Sequence, residues 1–160
     1  MLVNIRQAKI EDYNELYELF DEVDSLHCNH LPRIFQKTDQ PVRNKNYYSE
    51  LILYDSAGIF VAEIGGKLIG FIHAQLQEAP NIPIFVPRQY TVIVDIGVHS
   101  QFQRQGIGKL LMKTAEQWAK EKGSSSIELN VYEFNKTALA FYQSLGYETL
   151  SRKMTKQIKS

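Results

Sequence analysis

Cysteine is almost absent from this chain, with Cys28 standing alone. One thiol closes no internal disulfide and builds no thiolate metal cluster. Its place within a helical pattern reads as packing rather than nucleophilic chemistry. The scarcity fits a reducing, cytoplasmic setting. An excess of charge is absent too: 18 Lys and Arg face 18 Asp and Glu. That balance gives no global reason to expect nucleic acid or an anionic membrane as partner. No run approaches 18 uninterrupted apolar residues, so no membrane span is expected. The opening MLVNIRQA lacks the basic-then-apolar order of a signal peptide. No repeat or low-complexity block is visible.

What remains is ordinary and substantial. The chain has 160 residues, 44% hydrophobic and 22% charged, enough for one domain with a real core. Val3–Gln7 alternates as a strand does. Tyr13, Leu16, Tyr17, Phe20, Val23 and Leu26 recur at helical spacing, and the helix should stop before Pro32. Residues 32–43 read as a loop and Tyr47–Tyr54 as a short helix. Ile59–Ile64 and Lys67–Gln77 read as a hairpin across Gly65-Gly66. Tyr90–Val98 is β-branched and apolar, a central strand. Ile107, Leu110, Leu111, Ala115, Trp118 and Ala119 mark one helix face. A strand at Ile127–Val131, a helix at 136–144 and one or two closing strands over 147–156 complete a mixed α/β domain, expected to be a single one over 1–160. The strands flanking the 106–122 helix should be parallel neighbours.

The joint between strand and helix reads VHSQFQRQGIGKLLM over residues 98–112. A helix N-terminus offers backbone N–H groups without helical partners and a partial positive charge. Gly106 and Gly108 remove side chains where a ligand would approach, and Arg104 and Lys109 add charge. This suits a pyrophosphate, although a plain tight turn stays open on these residues alone. A P-loop would need Ser or Thr after Gly108-Lys109, and Leu110 stands there. A dinucleotide fingerprint would need a third Gly at 111, and that residue is Leu.

Downstream lies NKTALAFYQSLGY, residues 135–147. Gln-x-x-Gly-x-Gly at 103–108, followed by Asn-x-x-Ala-x-x-Phe-Tyr at 135–142 and Leu-Gly-Tyr, resembles the two signatures of the GCN5-related N-acetyltransferases, the GNAT family. The resemblance extends to the element order over nearly the whole chain. Arg104 stands where many members carry Gly. The resemblance implies a GNAT-like α/β fold of α+β type: a central mixed, mostly antiparallel sheet with a splayed parallel strand pair and flanking helices.

It also implies acetyl-CoA as co-substrate and no metal. Ile96, Gly97 and Val98 would pair with the pantetheine arm like an added strand. Gln103, Arg104, Gln105, Gly106, Ile107, Gly108 and Lys109 would hold the pyrophosphate, and Asn135, Lys136 and Tyr142 would complete the cofactor site. Tyr142 falls at the family position of the general acid, and a phenol near pKa ~10 suits an alkyl thiolate; packing against the sheet is its plain role. Asp95, a carboxylate in a central strand, needs a partner. It would take the amine's proton, bind the substrate ammonium, or form a structural ion pair. His73, Glu78 and His99 are weaker candidates for the base. His27 and His30 share a helix face without a third ligand in view.

Acceptor specificity would lie in 26–43 and 78–90, with Phe35, Phe85, Arg88 and Tyr90 lining or gating the pocket. The acceptor, a small molecule or a protein amine, is unread, and a homodimer is left open. Two other classes compete with the enzyme: a GNAT-like module that senses acyl-CoA without transferring it, and a plain nucleotide-binding α/β domain, which the two failed phosphate motifs disfavour.

Overall fold

A computed structural model describes residues 2–159. The chain divides into two compact units, Met1–Asn130 and Val131–Ser160. The first contains β1 (Asn4–Gln7), α1 (Tyr13–His30), α2 (Lys45–Leu53), β2 (Ala57–Ile64), β3 (Lys67–Glu78), β4 (Gln89–Val98), α3 (Ile107–Glu121) and β5 (Ile127–Leu129). The second contains α4 (Lys136–Ser144). The mixed α/β class is as expected.

The five strands form one sheet in the order β1-β2-β3-β4-β5. Every neighbouring pair is antiparallel except β4 with β5, which is parallel. Alternation along β3 assigns the faces. Gly70 lies under α3, where an added Cβ would sit 3.2 Å from a Leu111 methyl. The next residue, Phe71, points the other way and meets the Phe20 ring of α1 edge-on, centroids 4.8 Å apart. On the α1 side Leu16, Leu19, Phe20, Tyr48, Leu51, Ile59, Val61 and Phe71 form one buried cluster. On the other side α3 buries Ile107, Leu111, Met112, Ala115 and Ala119. Full burial of each large apolar side chain stabilises the fold by about 1.5–3 kcal/mol.

Local signals set the element ends. The Asn44 side chain accepts a hydrogen bond from the Tyr47 N–H at 2.8 Å, so α2 begins at Lys45, two residues before its apolar pattern does. The entry to α1 is a 3-10 turn over Ile10–Asp12. It is fixed by Asp12, which accepts two bonds from the Arg6 guanidinium at 2.8 and 2.9 Å and one from the Lys9 N–H at 2.7 Å. The Arg6 bonds hold the Asp12 carboxyl below its usual pKa of 3.8.

The register of β3 on β4 shifts once. Ala74 pairs with Ile93 and His73 with Asp95, which leaves Val94 as an extra residue, a β-bulge. The β4–β5 ladder ends at the same place, since its last pair is Ile93 with Leu129. Strand β4 continues to Val98 beyond it.

In the second unit, α4 is capped by Asn135, whose side chain accepts from the Ala138 N–H at 3.1 Å. Its C-terminus closes with the Tyr147 N–H bonded to the Tyr142 carbonyl at 3.0 Å. Residues 147–156 were expected to form closing strands, but no strand is assigned there. A strand exists through its ladder, and within this unit no other segment supplies one.

Gly58 is a packing position rather than a turn. A Cβ there would lie 2.7 Å from Cε2 of Trp118. Gly58→Ala should lower stability by about 1–3 kcal/mol through overpacking. Adding Trp118→Leu should recover part of the loss in urea unfolding. Independent, additive losses would show that the two residues do not meet.

Candidate functional site

The end of β4 and the start of α3 are tied together. After Val98 the chain makes a short 3-10 turn at Ser100–Phe102. The Gln103 side-chain amide then reaches back to donate to the Val98 carbonyl at 3.0 Å. The first residue of the Gln-x-x-Gly-x-Gly pattern thus fixes the loop to the strand it follows. Arg104 has φ +62° and Gly106 φ +83°. Both are left-handed conformations that glycine adopts without strain. Nothing lies within 4 Å of a Cβ placed on Gly106, so the space before the helix is open. Gly106 is the N-cap residue of α3 and has no side chain to cap with, which leaves the first-turn N–H groups of Ile107, Gly108 and Lys109 facing that space.

Ile96, Gly97 and Val98 form the part of β4 past the bulge. Its backbone edge on the β5 side has left the ladder. Gly97 has a packing reason of its own: a Cβ would meet Phe71 and Val23, each at 2.8 Å.

Asp95 faces α1 and α2. It does not stand alone. The Arg43 guanidinium donates to Asp95 at 2.8 Å and to Asp24 at 2.9 Å, and it lies over the Phe20 ring, 4.8 Å from its centroid. The Arg43 carbonyl accepts from the Tyr13 hydroxyl at 2.7 Å. Burial works to lower the Arg43 pKa, but Asp95 and Asp24 outweigh it and the value is raised. Arg43 and Asp24 stand out in no sequence pattern, and Phe20 is marked there only as part of the apolar face of α1. Arg43 closes a proline-bearing loop, and its partners lie 19 and 52 residues away, so no local spacing announces them.

Arg43 also stands between two cavities. The inner one is a space of about 10 Å3 walled by Phe20, Arg43, Tyr47, Tyr48, Leu51, Ile59, Phe71, His73 and Asp95. The outer one is a cleft of about 220 Å3 between α1 and residues 36–43, with Asp21, Asp24, Ser25, Cys28, Gln36 and Lys37 among its walls. His73 is only 7% exposed. Burial holds its pKa below the ordinary 6.5; a bond to Gln75 and the charge of Asp95 pull the other way.

The remaining candidates are dispersed. His99 follows β4; its Nδ1 accepts from the Gln101 N–H at 3.2 Å and its Nε2 lies 3.7 Å from Glu22. Glu78 ends β3. His27 and His30 each turn Nδ1 to a carbonyl one helical turn back, at 2.9 Å. Phe35 packs on His27, and Phe85 is half-exposed in the segment between β3 and β4. Arg88 donates to Glu128 of β5 at 2.8 Å and covers the Tyr90 ring at 4.2 Å. None of Phe35, Phe85, Arg88 and Tyr90 is among the walls of the two cavities. In the second unit, Tyr142 lies on α4 between the rings of Phe141 and Tyr147, at 5.3 and 6.0 Å. Lys136 pairs with Glu133 at 3.5 Å. Among the described residues no cluster of His, Cys, Asp or Glu could hold a metal, and no helix is long and apolar enough to cross a membrane.

A sequence profile described as the acetyltransferase (GNAT) family matches residues 14–147. The chain belongs to the GNAT family. Among curated relatives, an uncharacterized N-acetyltransferase of Methanocaldococcus jannaschii is 36% identical over 102 residues, 64% of this chain and 44% of that protein. A mycothiol acetyltransferase of Thermomonospora curvata is 32% identical over 94 residues, 59% of this chain and 29% of its own length. The chain thus spans less than half of these relatives. Among solved structures, a mutant of the BH1408 protein from Bacillus halodurans superposes with a TM-score of 0.92 at 27% identity, covering 98% of this chain and 99% of that one. An aminoglycoside N-acetyltransferase in complex with CoA gives 0.75 at 18% identity, over 99% and 96%, a likeness of fold alone. This GNAT chain therefore carries the family's sheet, with acetyl-CoA the co-substrate that the family implies.

The buried His73 gives the fold a pH signature. The unfolded chain binds a proton at His73 near pH 6.5, whereas the folded chain binds it only at lower pH. The stability that this neutral histidine contributes is complete above 6.5 and is lost as pH falls toward the folded value. Urea midpoints should fall between pH 7.5 and 5.5. His73→Gln should flatten that fall, and an equally steep fall in the variant would exclude His73 as its source.

Proposed function

We propose that the protein is an acetyl-CoA-dependent N-acetyltransferase that transfers acetyl directly to an amine. The observation that carries this reading is the conjunction at one end of β4. The ladder with β5 ends at Ile93, the Gln103 amide holds the next loop against Val98, and α3 opens at Gly106 onto unfilled space. A strand edge released from pairing suits the amide groups of a pantetheine arm. A helix N-terminus a few residues on suits its pyrophosphate. In this reading Ile96, Gly97 and Val98 hold the arm, residues 103–109 hold the phosphates, and Asn135 and Lys136 contribute to the cofactor site.

The chemistry needs a neutral amine nitrogen at the thioester carbon and a proton for the departing thiolate. Tyr142 is the proposed donor of that proton. The acceptor is proposed to approach over α1 and residues 36–43, where Asp21 and Asp24 border the outer cleft, with Phe35, Phe85, Arg88 and Tyr90 as proposed gating residues.

Tyr142→Phe should lower kcat about 100-fold, within the range for loss of general acid–base catalysis, while acetyl-CoA affinity stays within a factor of two or so; unchanged kcat would remove Tyr142 from the mechanism. Gly108→Asp should abolish acetyl-CoA binding in calorimetry, because a carboxylate would meet the phosphates at the helix start. Retained affinity would reduce the loop to a turn. Tight acetyl-CoA binding without thiol release across amines and protein lysate would point to a sensor module instead.

A further inference from the structure

The inner cavity at the β4 bulge is walled mainly by apolar side chains, yet His73, Asp95 and Arg43 also border it. Its volume of about 10 Å3 is the room of a single water molecule, and a buried water requires two to four polar partners. His73, Asp95, Arg43 and Tyr47 are the residues on its walls that bring such groups nearest to it.

We propose that His73, through a water in this cavity, takes the proton that the acceptor amine must lose. The proposal rests on the N-acetyltransferase reading above and names the proton acceptor at that same site. Three observations support it. First, His73 and Asp95 are register partners at the bulge, beside the stretch of β4 assigned to the pantetheine arm. Second, Asp95 is already committed to Arg43 at 2.8 Å, and carboxylates in general are weaker bases than imidazoles. Third, the His73 ring has an acceptor to spare. With Nε2–H donating to the Gln75 side-chain oxygen at 3.4 Å, Nδ1 keeps its lone pair.

The charged and titratable groups around His73 come from every element packed on the cavity. Asp95 from β4 favours the imidazolium, Arg43 from the loop before α2 opposes it, and α2 adds the phenols of Tyr47 and Tyr48, of which burial pushes the Tyr48 pKa up. Tyr48 donates its hydroxyl to the Lys9 carbonyl at 2.6 Å, so it is turned to a different partner.

The step balances as follows. The amine nitrogen attacks the thioester carbonyl carbon and a C–N bond forms. The C–S bond breaks with its electron pair going to sulfur. The nitrogen's proton passes to the cavity water, which hands one of its own to His73 Nδ1. The thiolate takes its proton from Tyr142, and solvent exchange restores both side chains.

The test is steady-state thiol release from acetyl-CoA with methylamine, spermidine and sisomicin as probe amines, over pH 5–9, beside calorimetry of acetyl-CoA binding. The expected result is wild-type release with an acid limb below pH 6.5. His73→Gln, which puts a polar but non-titrating amide in place of the imidazole, should lower kcat about 100-fold and abolish that limb, with acetyl-CoA affinity unchanged. Asp95→Asn should move the limb to lower pH, since it removes the charge that favours the imidazolium. A kcat within about threefold of wild type in His73→Gln, with the limb intact, would overturn the assignment and leave the transferase reading standing. Loss of kcat in Asp95→Asn alone would overturn it in favour of Asp95. A wild type that binds acetyl-CoA but releases no thiol with any probe would overturn the transferase reading and His73 with it.

Discussion

The extra residue at Val94 is the constraint on which the candidate site depends. It shifts the β3–β4 register between Ile93 and Asp95, and the parallel ladder to β5 ends at the same step. From there β4 pairs with β3 alone among the described residues. An unpaired strand edge is a liability in most proteins; here it is short, rigidly backed and placed just ahead of a helix N-terminus. The bulge also fixes which side chains follow. Asp95 and Gly97 turn to the α1 side, where Gly97 admits Phe71 and Val23 and Asp95 meets Arg43. One inserted residue thus serves the backbone that would hold the cofactor and the side chains that would meet the acceptor.

Arg43 is the second organising element. It holds the segment before α2 against the sheet through two carboxylates, an aromatic face and its own carbonyl. A flexible lysine could not make the two directed bonds and stack at once. By spanning Asp24 and Asp95 it connects α1 to β4 across the layer between the two cavities. The wall proposed to face the acceptor is therefore set by contacts distant in sequence, while the 98–109 joint proposed to hold the phosphates is tied by contacts within a dozen residues.

That difference explains what could be read in the sequence. The α3 face, the Gly65-Gly66 hairpin and the 98–109 joint are local patterns that the structure carries, except that on α3 the expected Leu110 is exposed and Met112 is buried instead. Asn135 caps α4 and Tyr142 lies on it. The bulge was not legible, because Tyr90–Val98 reads as an unbroken apolar run and a register shift depends on the partner strand. Nor was Arg43, whose partners are brought close by the fold alone. Arg104 was visible as a departure from the family form, and its φ of +62° gives the physical reason glycine is common there.

The central claim is that one cofactor is gripped by the freed edge of β4 and by the N-terminus of α3 together. Amide hydrogen exchange with and without acetyl-CoA tests it most directly. The account predicts that amides at 96–98 and 106–109 become protected in parallel as acetyl-CoA is titrated, with one shared midpoint. Protection at neither segment, or at the helix start alone with 96–98 unchanged, would contradict it.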